Sequence, residues 1–242
     1  NGCGRMARID SFSRIDNVLV ILRSRLGHED ESAYHEDFHY AATAQIPAAW
    51  TLATGGGAAA VAGIGAIQTP RGALLLTTGT DLNNEATAAF GAVVADLDDG
   101  VDWYFRFQMT RITDVRYQFG LRKDANNYAL LQFADATSPC FQFITNNAGA
   151  GAVTFTSAVA AKAAKWYLAH FHTKPNAAGL CVMSAKLWSS EAATSGWQRC
   201  NDGANSVPND DALLPYAAAK LTLTAITKSL LLDRVDCFNS RY

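Results

Sequence analysis

Residues 103–109 read Trp-Tyr-Phe-Arg-Phe-Gln-Met. Trp103, Phe105, Phe107 and Met109 fall on one side of an extended chain, and Tyr104, Arg106 and Gln108 on the other. A repeat of two is the signature of a half-buried β-strand, because successive side chains of a strand point to opposite faces. The same alternation sets Tyr117, Phe119 and Leu121 against Gln118, Gly120 and Arg122. Asp124-Ala-Asn-Asn then makes a turn, and Tyr128–Phe133 returns as the second arm of a hairpin. Further strands are expected over 64–69, 73–78, 87–95, 141–145, 152–156, 166–173, 181–189, 218–225 and 230–238. Short strands at this spacing, with Gly, Asn, Asp and Pro between them, predict an all-β fold of antiparallel sheets. Strands do not alternate with helices, which argues against a parallel α/β sheet.

Composition narrows the function classes. The chain has 49% hydrophobic and 17% charged residues, enough to bury a core and too apolar for wholesale disorder. A net charge of −2 excludes a nucleic-acid binder that relies on bulk positive charge. No apolar run approaches the ~20 residues of a membrane-spanning helix, so no membrane partner is expected. Alanine accounts for 43 of the 242 residues, and with so few charges this suggests a surface partly covered by neighbours. The start of the sequence lacks the pattern of a secretion signal. Five widely spaced cysteines, with no Cys-x-x-Cys, argue against a zinc knuckle. Buried free thiols are the simplest reading; one intrachain bridge, or a link between chains through Cys3, stays open.

The leading segment differs. Phe12, Ile15, Leu19, Leu22 and Leu26 are spaced 3,4,3,4, the apolar seam of a short amphipathic helix over 9–26 that Gly27 ends. Basic residues (Arg5, Arg8, Arg14, Arg23, Arg25) give way at once to acidic ones (Glu29, Asp30, Glu31, Glu36, Asp37), which marks a boundary. The expected organisation is an N-terminal helical arm over 1–36 and a β domain over 37–242. The five seam residues are candidates for oligomerisation or docking, the alternative being a helix packed on its own domain.

Several motifs fail as chemistry. His35-Glu36-Asp37-Phe38-His39 matches a zinc-peptidase pattern by letters, but that pattern needs a helix and a third ligand, and Gln45 stands where one such ligand would fall. The Gly55–Gly65 run lacks the dinucleotide fingerprint and reads as a loop. His170 and His172 share a strand face without an evident third ligand. Asp96, Asp98, Asp99 and Asp102 surround Gly100 but miss the EF-hand spacing; they leave only a weak calcium possibility, and no cofactor is expected.

The order of motifs resembles a known superfamily. Asp37-Phe38 is followed by Trp50-Thr51, then Tyr117-Gln-Phe-Gly-Leu-Arg122 with Asn126-Asn-Tyr128. Next come Trp166-Tyr-Leu-Ala-His-Phe-His172, Ser184-Ala-Lys-Leu-Trp188, Trp197-Gln198, Leu221-Thr-Leu and Leu232-Asp-Arg-Val-Asp236-Cys-Phe238. Over 37–242 this resembles the concanavalin A-like lectin/glucanase superfamily, including laminin G-like modules of phage virion proteins and secreted bacterial proteins. The resemblance implies a jelly roll of two antiparallel sheets packed face to face. Its glucan-cleaving members carry paired carboxylates at alternating strand positions, and its lyases a Gln-x-His strand. Here the five glutamates are Glu29, Glu31, Glu36, Glu85 and Glu191, none paired on a strand, and His170-Phe-His172 lacks the Gln. The expectation is therefore not an enzyme.

Two functions follow. The first is a structural protein of a virion surface, a phage capsid decoration (cement) or tail-associated protein, whose partners are other virion proteins or copies of itself. The alternative is a glycan-binding module of a phage or a secreted bacterial protein, placed on the virion surface or otherwise extracellular. Candidate sugar contacts are the outward positions Tyr104, Arg106, Gln118, Tyr128, Gln132, Gln142, His170 and His172, which combine flat rings with planar hydrogen-bonding groups. An ordinary polar sheet face would look the same. If the arm drives self-association, deleting residues 1–27 will lower the mass measured by light scattering; an unchanged mass would reject that role.

Overall fold

The computed structural model describes residues 33–38, 40, 42–55, 61–66, 72–91, 95–96, 100–148, 151–175, 181–189, 198–199, 212–223 and 227–239. They belong to one compact unit, Ala33–Tyr242. The helix expected over 9–26, with Phe12, Ile15, Leu19, Leu22 and Leu26, lies outside the described residues.

The strands are β1 (Ala33–Glu36), β2 (Trp50–Gly55), β3 (Val61–Ala66), β4 (Gly72–Thr77), β5 (Glu85–Phe90), β6 (Ala95–Asp96), β7 (Val101–Met109) and β8 (Val115–Arg122). Then follow β9 (Tyr128–Ala134), β10 (Cys140–Asn146), β11 (Val153–Ala160), β12 (Trp166–Pro175), β13 (Cys181–Ser189), β14 (Gln198–Arg199), β15 (Ala212–Leu221) and β16 (Ser229–Asn239). They form two sheets, and every pairing is antiparallel. The first sheet runs β14-β13-β12-β7-β16-β4-β3, with β1 also on β16. The second runs β11-β10-β9-β8-β15-β5-β2, with β6 also on β15.

The alternation read from the sequence decides which side chains meet. Trp103, Phe105, Phe107 and Met109 of β7 are all fully buried, as are Tyr117, Phe119 and Leu121 of β8. Phe107 lies 4.0 Å from Phe119 and 5.8 Å from Phe141 between ring centroids, and Phe143 lies 5.8 Å from Phe171. These contacts join the two sheets, so the core is the layer between them. The last two are edge-to-face, and such pairs add about 0.5–1.5 kcal/mol each beyond area burial.

The strands expected over 141–145, 166–173, 181–189 and 230–238 are present with similar limits. Elsewhere the boundaries move. The stretch 87–95 is divided between β5 and β6, and 64–69 is realised as β3 at Val61–Ala66. Of the stretch 218–225, only 218–221 is strand, as the end of a β15 that begins at Ala212. Its sequence, Ala-Leu-Leu-Pro-Tyr-Ala-Ala-Ala-Lys-Leu, lacks β-branched residues and contains a proline. Pro215 cannot donate to a ladder. It stands between the residues paired with β6 (Ala212, Leu213) and those paired with β5 (Tyr216–Lys220), where only β8 is in register with it. Asp37-Phe38 does not open a strand. Phe38 has a φ of 49°, and its buried ring meets Trp50 edge-on at 5.2 Å. The preceding strand holds His35 and Glu36 in extended backbone opposite Asp236 and Val235, so the zinc-peptidase letters do not lie on a helix.

Gly120 sits mid-strand in β8 at a φ of +150°. A Cβ there would overlap the Ala129 carbonyl oxygen and come within 2.9 Å of Leu130 Cα. Gly120→Ala is expected to cost about 2–4 kcal/mol, read as a lower urea midpoint with an unchanged slope. A midpoint within error of the parent would contradict this placement.

Candidate functional site

The eight proposed sugar contacts do not form one site. Tyr104, Arg106, His170 and His172 lie on β7 and β12 of the first sheet, whereas Gln118, Tyr128, Gln132 and Gln142 lie on β8, β9 and β10 of the second. All eight occupy outward positions, as alternation required. The core separates the two groups, so one ligand cannot touch both. Alternation assigns a face within a strand, but it does not say which strands share a sheet.

On the first sheet the outward groups are spent on one another. His170 Nε2 is 2.6 Å and His172 Nδ1 3.2 Å from the same oxygen, Asp102 Oδ1. The register places Asp102 opposite His172 and Tyr104 opposite His170, so the rings of Tyr104 and His170 stack at 4.0 Å. Trp188 lies parallel to His170 at 6.1 Å, and Lys186 Nζ lies over Trp188. Arg106 covers the Trp166 ring and donates to Asp233 Oδ2 at 2.7 Å. Asp233 is the extra residue of a β-bulge in β16, between Leu232 opposite Phe107 and Arg234 opposite Arg106. Such a bulge redirects a side chain, and here the carboxylate meets a guanidinium. Arg234 pairs with Asp236 at 2.6 Å. Asp102 is only 6% exposed and Asp236 only 4%. Asp102, grouped in sequence with the acids around Gly100, thus serves two imidazoles; Asp98 and Asp99 lie outside the described residues. Among the described residues no group of three or more His, Cys, Asp or Glu is placed to hold a metal ion.

The outward side of the second sheet is organised differently. Gln118, Gln132 and Gln142 are in direct register across β8, β9 and β10. Gln118 Nε2 donates to Gln132 Oε1 at 2.7 Å, and Gln132 Nε2 donates to Gln142 Oε1 at 3.4 Å. The ladder leaves an acceptor free at one end and amide hydrogens along its length. It is recessed: Gln132 is 9% exposed and Gln142 5%. One row along, Tyr216, Gly120, Leu130 and Ile144 are in register. Gly120 has no side chain, and Leu130 fills the space beside it. Leu130, Tyr216 and Ala218 form a small apolar cluster with Tyr128 and Ala89 packed against it. Arg122 lies 4.7 Å over the Tyr216 ring, and its Nε donates to the Asp124 carbonyl at 3.0 Å. Burial raises the Tyr216 phenol above its ordinary range, partly offset by Arg122.

Charge distinguishes this face. Arg116, Arg122 and Lys220 lie at outward positions of β8 and β15, Glu85 stands opposite Lys220, and Asp96 of β6 stands opposite the outward position Ala212. Among the described residues, Arg116 and Lys220 make no hydrogen bond or ion pair. Arg116 and Arg122 are six residues apart on β8, about 20 Å along the strand, with Gln118 and Gly120 between them. Sequence reasoning included the glutamines and Tyr128 but missed Arg116, Arg122 and Tyr216. The two arginines could have been found, since they share the parity of Gln118. Tyr216 could not, because β15 was unrecognised there.

The comparisons fit the architecture. A protein of unknown function, SO2946 from Shewanella oneidensis MR-1, superposes with a TM-score of 0.62 at 12% identity, over 97% of this chain and 96% of that one. An endo-β-1,4-glucuronan lyase from the fungus Trichoderma reesei gives 0.59 at 10% identity, over 86% and 95%. Arcelin-5, a lectin-like defense protein from Phaseolus vulgaris, gives 0.57 at 10% identity, over 88% and 99%. No family model and no curated protein matches the sequence. The chain has the concanavalin A-like jelly-roll fold.

Cys237 is a buried core thiol and Cys140 is half-buried; neither forms a disulfide. Burial, then the nearby Asp102 and Asp236 carboxylates, pushes the Cys237 thiol up from 9.0 to about 12. The unfolded chain releases this proton near 9 while the folded chain keeps it. Its contribution to stability is therefore complete below pH 9 and fades as pH rises toward 12. Stability measured in urea should decline over this window, and Cys237→Ala should flatten the decline. Equal slopes for both chains would contradict the assignment.

Proposed function

We propose that this chain is a non-catalytic glycan-binding module that holds carboxylate-bearing polysaccharides on the outward face of the second sheet. The observation that carries the reading is the recessed Gln118–Gln132–Gln142 ladder with Arg116 and Lys220 in the row beside it. Planar amides exchange hydrogen bonds with sugar hydroxyls, Tyr128 and the Leu130–Tyr216 cluster offer apolar surface to a ring, and the outward cations favour an acidic ligand. Retaining glycoside hydrolysis needs two carboxyl groups about 5 Å apart; on this face Glu85 and Asp96 stand opposite Lys220 and Ala212, eight residues apart on β15, which supports binding without cleavage. Solved structures of the same fold include a lectin in complex with galactose and a glucuronan lyase, so carbohydrate ligands occur on this architecture. Within this reading the module would act at a surface, of a virion or of a secreted protein. The virion setting, as a decoration or tail-associated protein, rests on the resemblance of the strand motifs to phage modules.

The test is binding to soluble polyuronates and to neutral glucans of matched length, with reducing ends counted in parallel. Saturable binding to polyuronates, several-fold tighter than to neutral chains and without new reducing ends, is expected. Gln132→Leu and Arg116→Ala should each weaken it about 10–100-fold. Tyr104→Ala, on the other face, should leave it unchanged. Equal affinity for neutral and acidic chains, or indifference to Gln132→Leu, would overturn the site.

A further inference from the structure

The second sheet ends at an edge that its own chain leaves open. β11 is the last strand of that sheet and pairs only with β10. Hydrogen-bonding direction alternates along a strand, so one bond on a ladder's register fixes the phase of that ladder. Lys123 N donates to the Asn127 carbonyl at 2.9 Å, in line with the β8–β9 register. Odd-numbered residues of β8 therefore bond to β9. Thr222 N, donating to the Asp114 carbonyl at 3.0 Å, shows the even-numbered side of β8 bonding to β15. Counted outward, Leu130 and Gln132 bond to β10, and Phe143 and Thr145 bond to β11. Their partners Phe155 and Val153 thus face back into the sheet. Thr154 and Thr156 turn their N–H and C=O groups to the open side, and both residues are exposed. Among the described residues nothing bonds to these groups there.

A bulge limits the open stretch. Thr156 is opposite Gln142 but Ala160 is opposite Cys140, and Val159 N is satisfied by Ser157 Oγ at 3.2 Å. The regular edge is therefore Val153–Thr156. Natural edges are usually shielded by charge, lysine above all. Here no Asp, Glu, Lys or Arg occurs from Ala136 to Ala161, a span that takes in both β10 and β11. The missing charge bears on what covers the edge. A foreign strand is favoured by opposite charges across a ladder, whereas a strand paired with its own copy sets charges against their like. A neutral edge fits the second case. We infer that two copies of this chain pair β11 with β11, antiparallel, about a two-fold axis at Phe155. This register uses both open residues of each copy: Thr154 lies opposite the partner's Thr156, with about four backbone hydrogen bonds in all. The half-buried Phe155, which already packs on the core, meets its counterpart beneath the ladder. The axis is perpendicular to the sheet, so both outward faces look the same way. The two glutamine ladders then share one surface, their Gln142 strands about 14 Å apart. The pairing does not depend on the glycan reading; if both hold, one polysaccharide meets two ladders.

The test is sedimentation velocity of the full chain, without glycan, from about 1 to about 500 μM. The expected result is a monomer–dimer equilibrium with a Kd of roughly 10–100 μM, since a short edge makes a weak interface. The double variant Thr154→Lys with Thr156→Lys should dissociate at least about tenfold more readily. Mixing it with the double variant Thr154→Glu with Thr156→Glu should restore the dimer. Association unchanged in the lysine variant would overturn the inference, as would a monomer at every concentration. So would an open-ended series of sizes, the product of joining β11 head-to-tail to β2 at the other end of the sheet. If the variants do not fold, amide exchange of the parent decides. The Thr154 and Thr156 amides should gain protection from dilute to concentrated samples, and equal exchange in both rejects the pairing. No polysaccharide enters these measurements, so their failure leaves the glycan site standing, and the reverse holds.

Discussion

The aromatic layer between the sheets fixes everything else. Phe107 meets Phe119 and Phe141 across the gap, and the Tyr167 ring lies alongside it at 5.4 Å. A strand shifted by one residue would send these rings to solvent and bring Arg106 and Gln108 inside. Burial of the rings therefore sets the register of β7, and through the ladders that of β12 and β16. The outward rows are consequences: Asp102 falls beside His172, Tyr104 beside His170, and the three glutamines line up across β8, β9 and β10.

Given that frame, the two outer faces diverge because of what their neighbours offer. On the first sheet, carboxylates and cations alternate closely enough to satisfy one another, and a bulge supplies the carboxylate for Arg106. Such a face is stable and leaves little to offer a ligand. On the second sheet Arg116 and Lys220 make no ion pair among the described residues although Glu85 stands opposite Lys220, and the glutamines bond to each other. A face with donors left over suits recognition, because a ligand need not first displace strong internal pairs.

Much of this was legible from residue order. The strongly alternating strands around 103–109 and 117–133 were placed well, because large side chains at every second position have few other solutions. Every candidate sugar contact was assigned its correct outward side. What stayed hidden was partnership. The pairing of β7 with β12, and of β8 with β9 and β10, follows from topology rather than from local pattern, so a single outward list hid two surfaces. β15 was read short because an alanine-rich stretch with a central proline carries little strand signal; its place is set by β8 and β5 on either side. The burial of Lys228 and Asn84 gave no warning, because both lie beside strand ends, where polar residues are expected to face water.

β16 is the last of the strands in chain order, yet it lies in the middle of its sheet, with β7 along one side and both β4 and β1 along the other. Until it arrives, the first sheet is two fragments with bare inner edges. A growing polypeptide thus holds the aromatic layer half covered through most of its synthesis, a condition that favours slow closure and unwanted strand exchange. Synthesis of this molecule would accordingly depend on whatever shields those edges before the final ribbon slots in.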